Sequence, residues 1–247
     1  MIPRIATLLL SLWIGAGAWA AANAEVRSSL QLLHKLAAQG DADAQYGLGT
    51  WYARNHMNDL ELSMARDWLI RAARQQHVHA MFRLGVLLAS VDSIRNDAQA
   101  IDWVSAAADA GLVEAVGEMG MFHFEGFGHL ERDCGKATEL LERAYGAGDD
   151  RAESNLVWVL STCPEQKHRD GSRALRMAFE LVYRKGEKTA NTMDNLAAAY
   201  AEAGDFLSAE EAQREAIEMA ESDEVRAVFE LHLESYLQRE AWRDETP

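Results

Sequence analysis

The sequence predicts an all-α protein, an α/α superhelical solenoid of stacked antiparallel helix pairs, and three observations carry that prediction. The first is an internal repeat: Ala44 to His79 reads AQYGLGTWYARNHMNDLELSMARDWLIRAARQQHVH, and its pattern returns from Ala80 and from Ala115, at steps of 36 and 35 residues. Equivalent positions keep their chemistry, as in Leu48, Leu84 and Met119, in Gly49, Gly85 and Gly120, in Trp51, Leu87 and Phe122, and in Ala72, Ala107 and Ala144. A period of this length marks stacked helical hairpins, each covering its neighbour's apolar face. The second is composition: three prolines in 247 residues, with abundant Ala, Leu, Glu and Gln, favour helix over strand. The third is punctuation, because each repeat divides into two helix-period segments separated by polar or glycine-containing turns.

Composition also excludes partners. The formal charge of -15 repels a phosphate backbone and an anionic membrane surface, so nucleic acid is not expected as a ligand. A well-solvated acidic surface is the simpler meaning of that charge.

Met1 to Ala24 carries one basic side chain, Arg4, then an apolar run from Ile5 to Trp19, and ends Ala22-Asn23-Ala24. This is the pattern of a secretory signal peptide cleaved after Ala24. An uncleaved anchor or a buried first helix is the alternative. No later segment has the length and apolarity of a span, so no stable membrane insertion is expected after cleavage, and the mature chain is expected in the periplasm or secreted.

Val26 to Gln39 places Leu30, Leu33 and Ala37 on one helical face before Gly40 and Asp41 break it, as a cap over the first full repeat would require. In the first two repeats the first helix carries Ala-x-x-x-Leu-Gly and the second carries paired alanines, and the third keeps the pattern with Met119 for the leucine and Ala144 alone. Asn58, with Glu61 three residues on, fits the N-cap of the first repeat's second helix, and Asn96 or Asp97 and later Asp133 fit the next two. Gly111, Gly148 and Gly204 stand where helices should stop. Ser222 to Arg239 opens with a cap serine and two acids, the start of a closing helix, and the tail from Trp242 is expected to fray.

The segments AQYGLGTWY and ARDWLIRAA, together with MGMFHFEGFGHLERDCGKA and its G-x-G turn, resemble the Sel-one-like repeat, a relative of the tetratricopeptide repeat. The first two units lack the G-x-G turn, and Leu140 replaces the tryptophan found at Trp68 and Trp103. Farther on, NLAAAYAEAGDFLSAEEAQREAIEMA resembles a tetratricopeptide unit. The organisation that follows is a signal peptide at 1–24, a capping helix at 25–40, Sel-one-like repeats at 41–150, tetratricopeptide-like repeats at 151–221 and a closing helix with its tail at 222–247. The resemblance implies a non-catalytic scaffold that binds a protein or peptide partner.

A search for chemistry finds neither a phosphate loop nor a nucleophile elbow, and no catalytic residue, cofactor or metal is expected. His77 and His79 flank one residue in a turn, where polar turn residues explain them better than metal ligands. His123 takes the place of a packing aromatic beside Glu125 and His129, which fits a partly buried structural histidine; zinc is the alternative. The first helices of successive repeats should line a concave groove, and Arg54, Arg83 and Glu118 are the positions there that repeat packing leaves free for a partner. The competing function is a periplasmic hydrolase or peptidoglycan-active protein with its site in that groove.

The two cysteines, Cys134 and Cys163, are expected to form a disulfide. The helix from Cys134 and the helix ending near Thr162 are antiparallel neighbours about the turn at Gly148 to Asp150, which brings residue 134 opposite residue 163. Cys134, Ala137, Leu141 and Ala144 share one face, and Ala152, Leu156, Val159 and Cys163 share the facing one. Two separate buried thiols are the alternative.

Overall fold

A computed structural model of the chain describes residues 28–55 and 58–244, so the signal-peptide segment lies outside the described residues. Every regular element among the described residues is helical, and the chain divides into two compact units that meet between Asn96 and Asp97.

The first unit contains α1 (28–38), α2 (Ala42–Asn55), α3 (Asp59–Ala73), α4 (Val78–Ser90) and a short 3-10 turn at Asp92–Ile94. α1 covers α2 as the cap was expected to do: Leu30 and Leu33 pack on the buried Ala37, Ala44 and Leu48, with Tyr52 and Trp68 completing the cluster. Asn58 caps α3 by accepting from the Glu61 backbone N–H at 3.1 Å. The repeated glycine has a packing reason, because a Cβ on Gly49 would stand 2.6 Å from Leu69 Cγ and 3.1 Å from the Ala65 carbonyl oxygen of α3. Leu87 and Phe122 are buried, but Trp51 at the equivalent repeat position is 37% exposed and lies edge-on to Tyr52.

The second unit contains α5 (Asp97–Asp109), α6 (Val113–Glu125), α7 (Cys134–Gly146), α8 (Asp150–Thr162), α9 (Gly171–Phe179), α10 (Ala190–Glu202), α11 (Phe206–Glu218) and α12 (Asp223–Leu237). α9 passes into a π-helical turn at Glu180–Arg184. Sequential neighbours pack as hairpins, and the first helix α8 also contacts the first helices before and after it, α6 and α10. Gly120 repeats the role of Gly49, with Leu141 Cγ 3.0 Å and the Ala137 oxygen 3.2 Å from where its Cβ would be. Asp133 and Ser222 cap α7 and α12, accepting from Lys136 N–H at 2.8 Å and Val225 N–H at 3.3 Å. Gly111, Gly148 and Gly204 turn the chain with φ of 91°, 100° and 84°.

The disulfide is present. Cys134 and Cys163 are bonded with Cα atoms 6.3 Å apart, fully buried at the N-terminus of α7 and the C-terminal end of α8. The expectation of a frayed tail from Trp242 does not hold through Asp244. Trp242 packs on the core, Arg243 pairs with Glu202 at 2.6 Å, and the Asp244 amide donates to the Thr162 carbonyl at 3.0 Å. Three charged neighbours made the segment look solvated, whereas its polar partners lie about forty or more residues back along the chain and leave no local signal.

Candidate functional site

The helix-start ends of α8 and α10 and the face of α6 beside them enclose a cleft of about 510 Å³ within the second unit. α6 contributes Glu114, Gly117 and Glu118, which helical spacing puts on one face. The turn before α8 contributes Asp149, and α8 itself Asp150, Arg151, Ser154 and Asn155. Glu187, Thr189, Asn191 and Thr192 close it from the start of α10.

Local bonds hold these walls. Asp149 is 8% exposed and caps α8, accepting from the Arg151 backbone N–H at 3.2 Å, while the Arg151 Nε lies 3.6 Å away. It fits because the facing residue is glycine: a Cβ on Gly117 would stand 2.8 Å from Asp149 Oδ2. Asn195 ties α10 to α8 by donating to the Ser154 carbonyl at 2.9 Å and to its Oγ at 2.8 Å. Thr189 and Thr192 cap α10 reciprocally, and Thr192 Oγ1 also donates to the Glu187 carbonyl at 2.5 Å.

Five carboxylates face one guanidinium across this cleft, so its potential is negative despite two helix N-termini. Burial raises the Glu118 carboxyl above its ordinary range; Arg151 lowers it in part and Asp149 raises it further. The carboxylates accept hydrogen bonds and the amides and hydroxyls both donate and accept, a set suited to hydrogen-bonding a peptide main chain and receiving a basic side chain.

Of the positions expected in the groove, Glu118 lies in this cleft, half buried. Arg54 and Arg83 are exposed on α2 and α4 of the first unit and are not among its lining residues. Asp149, Ser154, Asn155, Glu187 and Asn191 escaped sequence reasoning. The i, i+4 recurrence of Glu114 with Glu118, and of Asp150 and Arg151 with Ser154 and Asn155, was the available signal.

The histidines have structural occupations. His77 Nδ1 accepts from the Ala80 N–H at 3.1 Å and so caps α4, its Nε2 lies 3.1 Å from Asp43 Oδ1, and its ring stacks on Tyr46. His79 is exposed. His123 is half buried beside the turn its own carbonyl closes, accepting from the Asp133 N–H at 2.8 Å, while His129 and Glu125 are exposed. Burial holds the His123 imidazole below its ordinary pKa, against the pull of Asp133 and with a further push from Lys136.

The Sel1 repeat model matches residues 42–77, 78–112 and 113–149, so its period falls on the helix pairs α2–α3, α4–α5 and α6–α7. Over residues 42–149 the chain is a Sel1 repeat protein. The chitin synthase regulator SKT5 of Malassezia restricta is 35% identical over 134 residues, which are 52% of this chain and 9% of that regulator. Two crystal structures share the fold at 23% identity. One is a Sel1 repeat protein from Oxalobacter formigenes, with a TM-score of 0.56 over 82% of this chain and 86% of that one. The other is a protective antigen present in uropathogenic Escherichia coli strains that displays an SLR fold, with a TM-score of 0.58 over 88% of this chain and 46% of that one. The Sel1 repeats thus end one residue before α8 begins, and α8 to α12 continue as helical hairpins beyond them.

Proposed function

We propose that this Sel1 repeat protein is an exported, non-catalytic scaffold that holds a protein partner against the first helices of its repeats. The cleft of α6, α8 and α10 receives a basic segment of that partner, with Glu118 as its central carboxylate and Arg151 limiting how much positive charge is tolerated. The observation that carries this reading is the composition of the cleft, in which five carboxylates and a row of amides and hydroxyls surround one arginine. Arg54 and Arg83, exposed on first helices of the first unit, supply further contacts of opposite sign.

Export is part of the reading. The leader ending at Ala24 and the buried disulfide both fit an oxidising compartment outside the cytoplasm. We take the hairpins of α8 to α11 as tetratricopeptide-like continuations of the Sel1 array, on the strength of the Leu196, Ala199, Gly204 and Ala209 pattern.

The test is fluorescence anisotropy of the full mature chain with lysine-rich and glutamate-rich peptides of equal length. Saturable binding of the basic peptide, weakened by salt and by Asp150→Asn together with Glu118→Gln, is expected. Equal binding of both peptides, or basic-peptide binding unaffected by the double substitution in a folded chain, would remove the cleft from the account.

A further inference from the structure

The last described residues turn back onto the fold. After α12 the chain reverses at Arg239, whose φ of 59° puts a side chain in the left-handed region, and residues 241–244 then run past the C-terminal ends of α8 and α10. This is the far end of α8 from the acidic cleft, since Arg151 and Thr162 are separated by about 16 Å of helix.

Three successive side chains each meet a separate set of partners. The Trp242 ring lies 4.6 Å from the ring of His232, which is itself 5.4 Å from that of Trp158. Arg243 Nη2 pairs with Glu202 Oε2 at 2.6 Å, and its Nη1 donates to the Ser161 carbonyl at 3.2 Å. The Asp244 carboxylate accepts from Trp158 Nε1 at 3.3 Å, its amide donates to the Thr162 carbonyl at 3.0 Å, and its carbonyl accepts from Arg132.

The groups that receive these three residues are also held by bonds of their own. His232 Nδ1 and Gln213 Nε2 converge on Asp194 Oδ1 at 2.8 and 2.7 Å, all three buried. Arg169 Nε donates to Glu202 Oε1 at 3.0 Å, and its Nη1 donates to the Cys163 and Pro164 carbonyls. The disulfide anchors the chain just after Arg132 on one side and just after Thr162 on the other. Residues 241–244 are all only partly buried, and the reversal that brings them there puts Arg239 in the left-handed region, which costs backbone energy. Tyr236, fully buried and within electrostatic reach of Arg243, has a hydroxyl with no hydrogen-bond partner among the described residues.

We propose that this groove is a receptor for a linear segment of a partner protein reading aromatic–arginine–aspartate, and that Trp242-Arg243-Asp244 is its resident competitor. The ligand chemistry follows from charge complementarity. Glu202 and a helix-end carbonyl select the guanidinium, the Trp158 indole N–H selects the aspartate carboxylate, Arg132 holds the main-chain carbonyl beside it, and the His232–Trp158 pair selects an aromatic ring. The site is separate from the acidic cleft and does not depend on the role proposed for it.

The test uses a dye-labelled peptide AWRDETP, the sequence of residues 241–247, with full-length wild type and full-length Trp242→Ala/Arg243→Ala. Saturable binding to the double variant is expected, with binding to wild type about tenfold weaker because its groove is mostly occupied. A peptide with glutamate in place of its arginine should not bind. Absence of binding to the folded variant, or equal affinity for both proteins, overturns the proposal. Should the variant not fold, hydrogen exchange of the wild type decides: amides 242–244 exchanging about tenfold or more faster than those of α12 support an exchangeable tail, and exchange in step with α12 overturns it. Dimerisation of the wild type that the double substitution abolishes assigns the groove to a second copy's tail, which also overturns the partner reading.

Discussion

Cys134 and Cys163 close the open end of the α7–α8 hairpin, the end opposite its Gly148 turn, with Cα atoms 6.3 Å apart across a sequence separation of 29. The pair therefore prevents two adjacent helices from splaying where no turn connects them. Cys134→Ser/Cys163→Ser should lose about 3 to 4 kcal/mol of unfolding free energy on the chain-entropy account. Denaturant titration of oxidised wild type against the double variant measures it, and alkylation of the unreduced, denatured wild type should modify no thiol.

Glu118 contributes to stability in the sense opposite to most carboxylates. Burial raises its pKa above the ordinary value of about 4.5, so the folded state favours the protonated form. That contribution is complete below the ordinary value and is lost as pH rises through the raised one. Glu118→Gln should therefore raise the Tm at pH 7, and the advantage should vanish near pH 4. An equal Tm difference at both pH values would show that the carboxyl is not desolvated.

His123 behaves in the mirror sense on the acid side. Its imidazole is held below the ordinary value of about 6.5, chiefly by burial, so the stability it contributes is present above that value and lost as pH falls through the depressed one. His123→Phe restores an aromatic at this position and should flatten the fall in Tm between pH 7 and pH 5.

The same substitution should have opposite signs at two glycines. At Gly49 an added methyl meets Leu69 and the Ala65 carbonyl, so overpacking of about 1 to 3 kcal/mol outweighs the gain of about 1 kcal/mol in helix preference. At Gly146, also helical, nothing lies within 4 Å, and Gly146→Ala should stabilise by about 0.4 to 1 kcal/mol. Paired melts of the two variants check the contrast.

Asp194→Ala removes the acceptor shared by His232 and Gln213 inside the second unit. Each buried group left without it costs about 1 to 3 kcal/mol, and the His232 ring that supports Trp242 loses its orientation. Chemical denaturation should show the loss, and protease cutting at the tail should become faster.

The parts legible in sequence were those fixed by near neighbours. Asn58, Asp133 and Ser222 were readable as caps because the backbone N–H groups they accept from lie three residues away, and the cysteine pair because a short turn makes a hairpin's register additive. Repetition made the glycine contacts legible as well, although only coordinates show that Gly49 and Gly120 each face a leucine of the next helix. What escaped was set by long separation or by context. Trp242 sits in a charged stretch, and the groups it and its neighbours meet belong to α8, α10 and α12. Asp149 looked like a turn acid, and its burial depends on Gly117 in another helix. Trp51 matched a buried leucine and phenylalanine by repeat position, yet it is more exposed than either.

The boundary between Asn96 and Asp97 falls inside the second matched repeat, after α4 and before α5. The stretch that recurs in the sequence is therefore out of phase by one helix with the segment that is compact in space. Duplicating residues 78–112 as a block would hand one helix to each compact unit, so a change in repeat number would alter both at once. A designer lengthening this chain has to choose between copying the piece that recurs in sequence and copying the piece that is compact in space, because here they are different pieces.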